Sequence, residues 1–283
     1  MLDYMYRLIR KSLSSDLYRM IKHSPFGRAK QVEHLDHYIS IFENYKNVAG
    51  DNFKEKNVLE IGAGNQIITA LHFLSAGAEK VILVDPKLEL TRELIRSSIN
   101  QFKSLSPQFS IDEEELRDML FVFKDMSFIP DEFNSSIDFV FSHLVLEHFD
   151  DLTSFFSNTS RLIDNEGLSY NVVDTSDHMY HIFDKYGLTR WILKRRALFH
   201  LRYSDGTFKK INDEKCYMNR LLLPVYLELA EKYNFKSKVL NKSKYKKTKI
   251  HKDVLSKFRS RNPDELFITS FQILFHRQDA VGS

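Results

Sequence analysis

The stretch Val58-Leu-Glu-Ile-Gly-Ala-Gly64 constrains the fold of this chain more than any other. Residues 57–61 read as a buried strand, yet they include an acid, Glu60, and run directly into two glycines separated by one residue. A helical pattern follows at once. Val81-Ile-Leu-Val-Asp85 is then a second apolar run, and it ends in a carboxylate. Strand, glycine turn, helix and a strand with a terminal acid form the unit from which a doubly wound sheet builds a ligand crevice. Gly62 and Gly64 allow the backbone to approach a ligand where a Cβ would clash, and Asp85 would accept hydrogen bonds from both hydroxyls of a ribose.

Two ligand classes use such a crevice. A dinucleotide site wants a third glycine, so that the pyrophosphate can rest on the helix N-terminus. That position is Ile67 here, preceded by Asn65 and Gln66. Glu60 would repel a pyrophosphate but suits a ligand with an ammonium group. S-adenosylmethionine has an amino-acid end, a sulfonium and no phosphate, and it is the cofactor expected.

The remaining chain extends the alternation. Strand-like runs lie at 57–61, 80–85, 120–124, 137–142 and 168–173. Helical patterns lie at 66–75, 87–102 and 152–163, the last closed by Gly167 as a C-terminal stop. Two further strands, 235–241 and 266–277, would extend one edge of the sheet. The expected fold is α/β, a doubly wound, mostly parallel seven-stranded sheet with an antiparallel edge strand. Residues 1–50 form a separate helical segment by their apolar spacing, and 51–283 the main domain. Between 175 and 230 the alternation stops. This interval holds the single tryptophan, Trp191, with Lys194, Arg195, Arg196 and Arg202, and it reads as a helical lid over the strand ends.

Composition excludes several classes. No apolar run approaches the roughly 20 residues of a membrane span, and the N-terminus lacks the core of a signal peptide. A single cysteine, Cys216, rules out an intrachain disulfide and argues against zinc. The cytoplasm is the expected compartment. A net charge of +3 does not by itself point to nucleic acid. The basic run 236–261 reads first as a solvated loop and next as a surface for an anionic substrate. Aromatics are not interleaved for base stacking, which argues against nucleic acid. The N-terminal helix, with Arg7, Arg10, Lys11 and Arg19, suits packing on the sheet, or else peripheral contact with an anionic membrane. The oligomeric state is left open.

Together these residues resemble a class I S-adenosylmethionine-dependent methyltransferase, with a Rossmann-like sheet, from Asn57 onward. Glu60-Ile-Gly-Ala-Gly64 and Val84-Asp85 resemble the first two motifs of that family. The resemblance implies that Asp125 and Met126 lie at the adenine and that Ser142 and His143 face the sulfonium side. Leu162-Ile-Asp-Asn-Glu-Gly-Leu168 is similar to the turn before the fifth strand, with Glu166 in place of the usual proline. A narrower similarity runs through Val173-Asp-Thr-Ser-Asp-His178, Trp191, Met218-Asn-Arg-Leu221, Phe258-Arg and Asp264-Glu-Leu266. It points to methyltransferases of bacterial surface-polysaccharide biosynthesis, and so to a glycan-related acceptor.

Methyl transfer is an in-line displacement, and alignment supplies much of its rate. A hydroxyl acceptor also needs a base with a pKa near working pH, and histidine fits. The expected base is His178, held by Asp177, with His148 second. In the resembled superfamily the pair Glu147-His148 is often present whatever the substrate. Asp174 and Asp177 offer a magnesium site as an alternative, but no metal is expected. The function expected is O-methylation of a small-molecule or glycan-related acceptor, a phosphorylated or nucleotide-linked sugar among them. RNA methylation and small-molecule N-methylation are the alternatives.

Overall fold

The computed structural model describes residues 31–177, 198–212, 217–245, 254–259 and 262–278. His178, Trp191, Lys194, Arg195, Arg196 and residues 246–253 of the basic run lie outside the described residues. The strands are β1 (Asn57–Ile61), β2 (Lys80–Val84), β3 (Leu120–Phe123), β4 (Ile137–His143), β5 (Ile163–Asp174), β6 (Phe235–Lys244) and β7 (Ile268–Arg277). They form one seven-stranded sheet in the order β3-β2-β1-β4-β5-β7-β6. The first five are parallel. β7 runs antiparallel to both β5 and β6, so it is inserted next to last and β6 is the outermost strand. β1 and β4 lie side by side at the reversal of strand order, the place where such sheets open a crevice beyond their C-terminal ends.

Helices cover both faces because alternate strand residues point to opposite sides. On one face Val58, Val81, Leu83, Phe139, Phe141 and Tyr170 meet α1 (Gln31–Ala49), α2 (Ile68–Ser75), α3 (Arg92–Leu105) and α4 (Glu113–Met119). On the other, Leu59, Ile82, Val140, Val173 and Ile273 meet α5 (Leu152–Leu162) and α7 (Leu223–Lys232). α1 is anchored by Tyr45, which stacks on Phe141 with ring centroids 4.3 Å apart, and by Phe42, which stacks on His72 at 4.8 Å. The described part of the N-terminal segment, Gln31–Ala49, therefore supplies a layer of the main fold.

Gly167 is not a helix stop. α5 ends at Leu162, and Gly167 lies within β5, where the pairing with β4 shifts register. A Cβ there would meet Ile163 at 2.6 Å and the carbonyl oxygen of Ile137 at 2.9 Å, so the glycine is demanded by this irregularity. Beyond β5, residues 198–212, with α6 (Asp205–Ile211), and 217–222 build small cores of their own. Leu198, Leu201 and Leu222 pack with Val254, Phe258, Leu266 and Phe267 from α8 (Ser256–Arg259), α9 (Pro263–Leu266) and their flanks. Residues 223–230, read with the insertion, belong to α7 and pack in the sheet's second core through Tyr226 and Ala230. Among the described residues no helix is long and apolar enough to cross a membrane.

Candidate active site at the C-terminal ends of β1, β2, β4 and β5

The glycine turn is tied directly to the acid after β2. Gly62 and Gly64 both adopt left-handed backbone, φ +80° and +70°. The Gly62 N–H donates to Val84 O at 2.7 Å, the Gly64 N–H to Asp85 Oδ2 at 2.9 Å, and the Lys87 N–H to Asp85 Oδ1 at 2.8 Å. A carboxylate has about four lone-pair sites, so Asp85 keeps accepting capacity for ribose hydroxyls. The two glycines serve different ends. A Cβ on Gly62 would meet Val145 Cγ2 at 2.2 Å, whereas one on Gly64 would meet nothing within 4 Å. Gly62 is crowded by the protein itself, and of these two glycines it is Gly64 that has open space of the kind a ligand needs.

Glu60 is buried, and the Thr69 hydroxyl at the start of α2 bonds to its carboxyl. Burial outweighs that bond and pushes its pKa up to about 8. It has no salt-bridge partner among the described residues, which is costly for a buried acid; an ammonium group there would offset that cost. Tyr38 of α1 lies close enough to feel its charge. His37 sets its ring edge-on to His143, with centroids 5.7 Å apart. His143, at the end of β4, is held neutral by burial and by His37, with its pKa lowered to about 4. α1 thus reaches the site, although its apolar spacing signals only packing.

The other predicted cofactor positions occupy the same end of the sheet. The Asp125 carboxylate caps a short turn, accepting from the Ser127 N–H at 2.8 Å and the Ser127 hydroxyl at 2.7 Å. Met126 is buried. Ser142 is fully buried and donates to Asn171 Oδ1 at 2.7 Å, while the Asn171 amide donates to Ser169 Oγ at 3.0 Å. Its hydroxyl is engaged across the β4–β5 pair rather than directed outward.

After β4 comes a turn that sequence patterns do not reveal. Leu144 has φ +57° and is exposed, Val145 seats against Gly62, and Leu146–His148 form one 3₁₀ turn. Residues 217–219 are laced to it. The Asn219 N–H donates to Glu147 O at 2.8 Å, and its side-chain amide donates to Leu146 O at 2.8 Å and Phe149 O at 3.2 Å. The Tyr217 hydroxyl donates to Asp150. His148 Nδ1 bonds the Tyr217 carbonyl. A carbonyl only accepts, so Nδ1 carries the proton and Nε2 is the basic nitrogen of the neutral ring. Asp177 is buried three residues beyond β5. Among the described residues no group of three or more His, Cys, Asp or Glu could hold a metal.

A glycine turn with open space above it, a buried acid without a salt-bridge partner among the described residues and a carboxylate with spare accepting capacity suit S-adenosylmethionine better than a dinucleotide. Residues 32–213 match the family model described as a methyltransferase domain. The chain belongs to this family. It is a methyltransferase, and S-adenosylmethionine is its cofactor. A comparison with curated protein sequences gave no match. Solved structures similar to it include the YcgJ protein from Bacillus subtilis, at 13% identity over 84% of this chain and 99% of that one, TM-score 0.45. A putative S-adenosylmethionine-dependent methyltransferase from Listeria monocytogenes aligns at 11% identity over 85% and 100%, TM-score 0.44. A methyltransferase from Mesorhizobium loti aligns at 11% identity over 85% and 100%, TM-score 0.44. At this likeness no residue role is carried over from them.

Proposed function

We propose that this methyltransferase acts on a hydroxyl of a small-molecule or glycan-related acceptor that carries negative charge, a phosphorylated or nucleotide-linked sugar. The observation that carries the O-methylation reading is the exposed His148 ring, with Nδ1 fixed on the Tyr217 carbonyl at the ligand end of the sheet. With the proton on Nδ1, Nε2 is the basic nitrogen of the ring, the atom that would take a hydroxyl proton. His178 is the first base by position, one residue beyond the buried Asp177, which would orient it. His148 is second, and residues 175–222 would cover the acceptor.

In this reading Glu60 takes the cofactor's ammonium group, the Gly62–Gly64 turn its amino-acid end and Asp85 the ribose hydroxyls. Asp125 and Met126 flank the adenine, while His143 lines the sulfonium side, with Ser142 behind it bonded to Asn171. Bound S-adenosylmethionine supplies a methyl on a positively charged sulfur. The protein aligns acceptor oxygen and methyl carbon, excludes water and accepts the proton. Charge at the mouth favours an anionic acceptor: Ser243 pairs with Ser270, which pairs with Asp174. Lys242 and Lys244 therefore stand at the same end of the sheet as the site, Lys244 paired with Asp264 at 3.0 Å.

The test is methyl-labelled S-adenosylmethionine with nucleotide-linked sugars and sugar phosphates. Label is expected as an alkali-stable methyl ether. His178→Ala or His148→Ala is expected to lower turnover about 10²–10⁴-fold with cofactor affinity nearly intact. Label entering only amines or RNA, or unchanged turnover in both variants, would contradict the reading.

A further inference from the structure

The 3₁₀ turn after β4 carries a second buried acid that the cofactor site does not use. Glu147 is 2% exposed. Its carboxyl accepts from its own main-chain N–H and from that of Asp174, the last residue of β5. Its Oε2 is buried and has no hydrogen-bond partner among the described residues. Such an atom wants a donor, since an unsatisfied buried acceptor costs free energy comparable to a lost hydrogen bond. The turn is rigid: Asn219 bonds three of its main-chain groups. It also touches the cofactor cradle, because Val145 fills the space beside Gly62.

We propose that Glu147 forms a subsite beside the transferred methyl, where Oε2 accepts a hydrogen bond from a donor group of the acceptor. This rests on reading the sheet's end as the methyl-transfer site, and it names what holds the acceptor there. The titratable groups that interact with Glu147 are Asp174 of β5 and Tyr226 of α7. Burial, and less strongly the Asp174 charge, push the Glu147 pKa up to about 8, so near neutral pH the group holds a proton that a cationic donor would displace.

The probe is sinefungin, a cofactor analogue with an amine-bearing carbon in place of the methyl-bearing sulfur. It is compared with S-adenosylhomocysteine, which has no such group. Calorimetry at pH 7 in two buffers of different ionisation enthalpy reads both affinity and proton release. Wild type is expected to bind sinefungin at least about tenfold more tightly. It is also expected to release up to about one more proton with sinefungin than with S-adenosylhomocysteine. Glu147→Gln should abolish both differences while leaving S-adenosylhomocysteine affinity within about threefold. Equal proton release for the two ligands in wild type overturns the inference, and that arm does not depend on the variant folding. A variant that loses both ligands equally marks Glu147 as structural. If wild type binds neither ligand, the cofactor site itself is misread, and the inference falls with it.

Discussion

Four titratable side chains, two buried and two half-buried, set opposing pH responses in the ligand-free protein. Burial lifts Glu60 and Glu147 from an ordinary 4.5 to about 8. Burial also lowers His72 and His143 from 6.5 to about 4, helped by the charge of Lys46 at His72 and by His37 at His143. Between about pH 4.5 and 6.5 the unfolded chain gives up carboxyl protons that the fold retains, while its imidazoles hold protons that the fold has released. The two effects largely cancel. Above 6.5 only the carboxyls act, because the fold still binds protons that the unfolded chain has lost. Stability is therefore expected to fall from pH 6.5 to 8, at up to about 1.4 kcal/mol per pH unit for each group. Melting curves across this range check it, and Glu60→Gln should remove about half of the fall. The glycines separate in the same assay. Gly62→Ala drives a methyl into Val145 at a left-handed φ, so it should destabilise by about 2–4 kcal/mol. Gly64→Ala should cost only about 1 kcal/mol while weakening cofactor binding.

Among the elements, α1 owes its place to aromatic packing. Tyr45 is fully buried between Phe73, Phe141 and Tyr170, and its hydroxyl has no hydrogen-bond partner among the described residues. Tyr45→Ala should cost about 3–5 kcal/mol. Tyr45→Phe should be neutral or slightly stabilising, because it removes an unsatisfied polar atom; a large loss on Tyr45→Phe would show that the hydroxyl has a partner after all. The strands β1, β2 and β4 were legible because a parallel strand is buried on both faces and reads as a nearly continuous apolar run, broken inside β1 only by Glu60 and early in β4 by Asp138. α4 was not. Its only fully buried residue is Leu116, and it is held by the Asp112 cap and by Glu113 bonding Arg96 and Arg117, none of which leaves a periodic signal. The lacing of residues 217–219 onto the turn after β4 was equally hidden. It joins the Asn219 side chain to main-chain carbonyls about 70 residues earlier, and asparagine amides bonding carbonyls have no pattern in a single sequence. Gly167 misled for the same reason, since a glycine at a strand irregularity and one at a helix end look alike without the pairing.

At the scale of the whole molecule, the sheet brings together residues that are distant along the chain. Glu60, Asp85, His143 and Asp174 terminate or closely follow four neighbouring parallel strands. α1 closes this end from one face, and the turn after β4, with its 217–219 strap, closes it from the other. The central claim is that this end holds S-adenosylmethionine through the Gly64 opening, Glu60 and Asp85. Calorimetric titration of the full chain with S-adenosylhomocysteine, and in parallel with NAD, tests it most directly. The expected result is saturable binding of S-adenosylhomocysteine and none of NAD, with Asp85→Ala weakening the first by at least about tenfold. Saturable NAD binding with no response to S-adenosylhomocysteine would contradict the account.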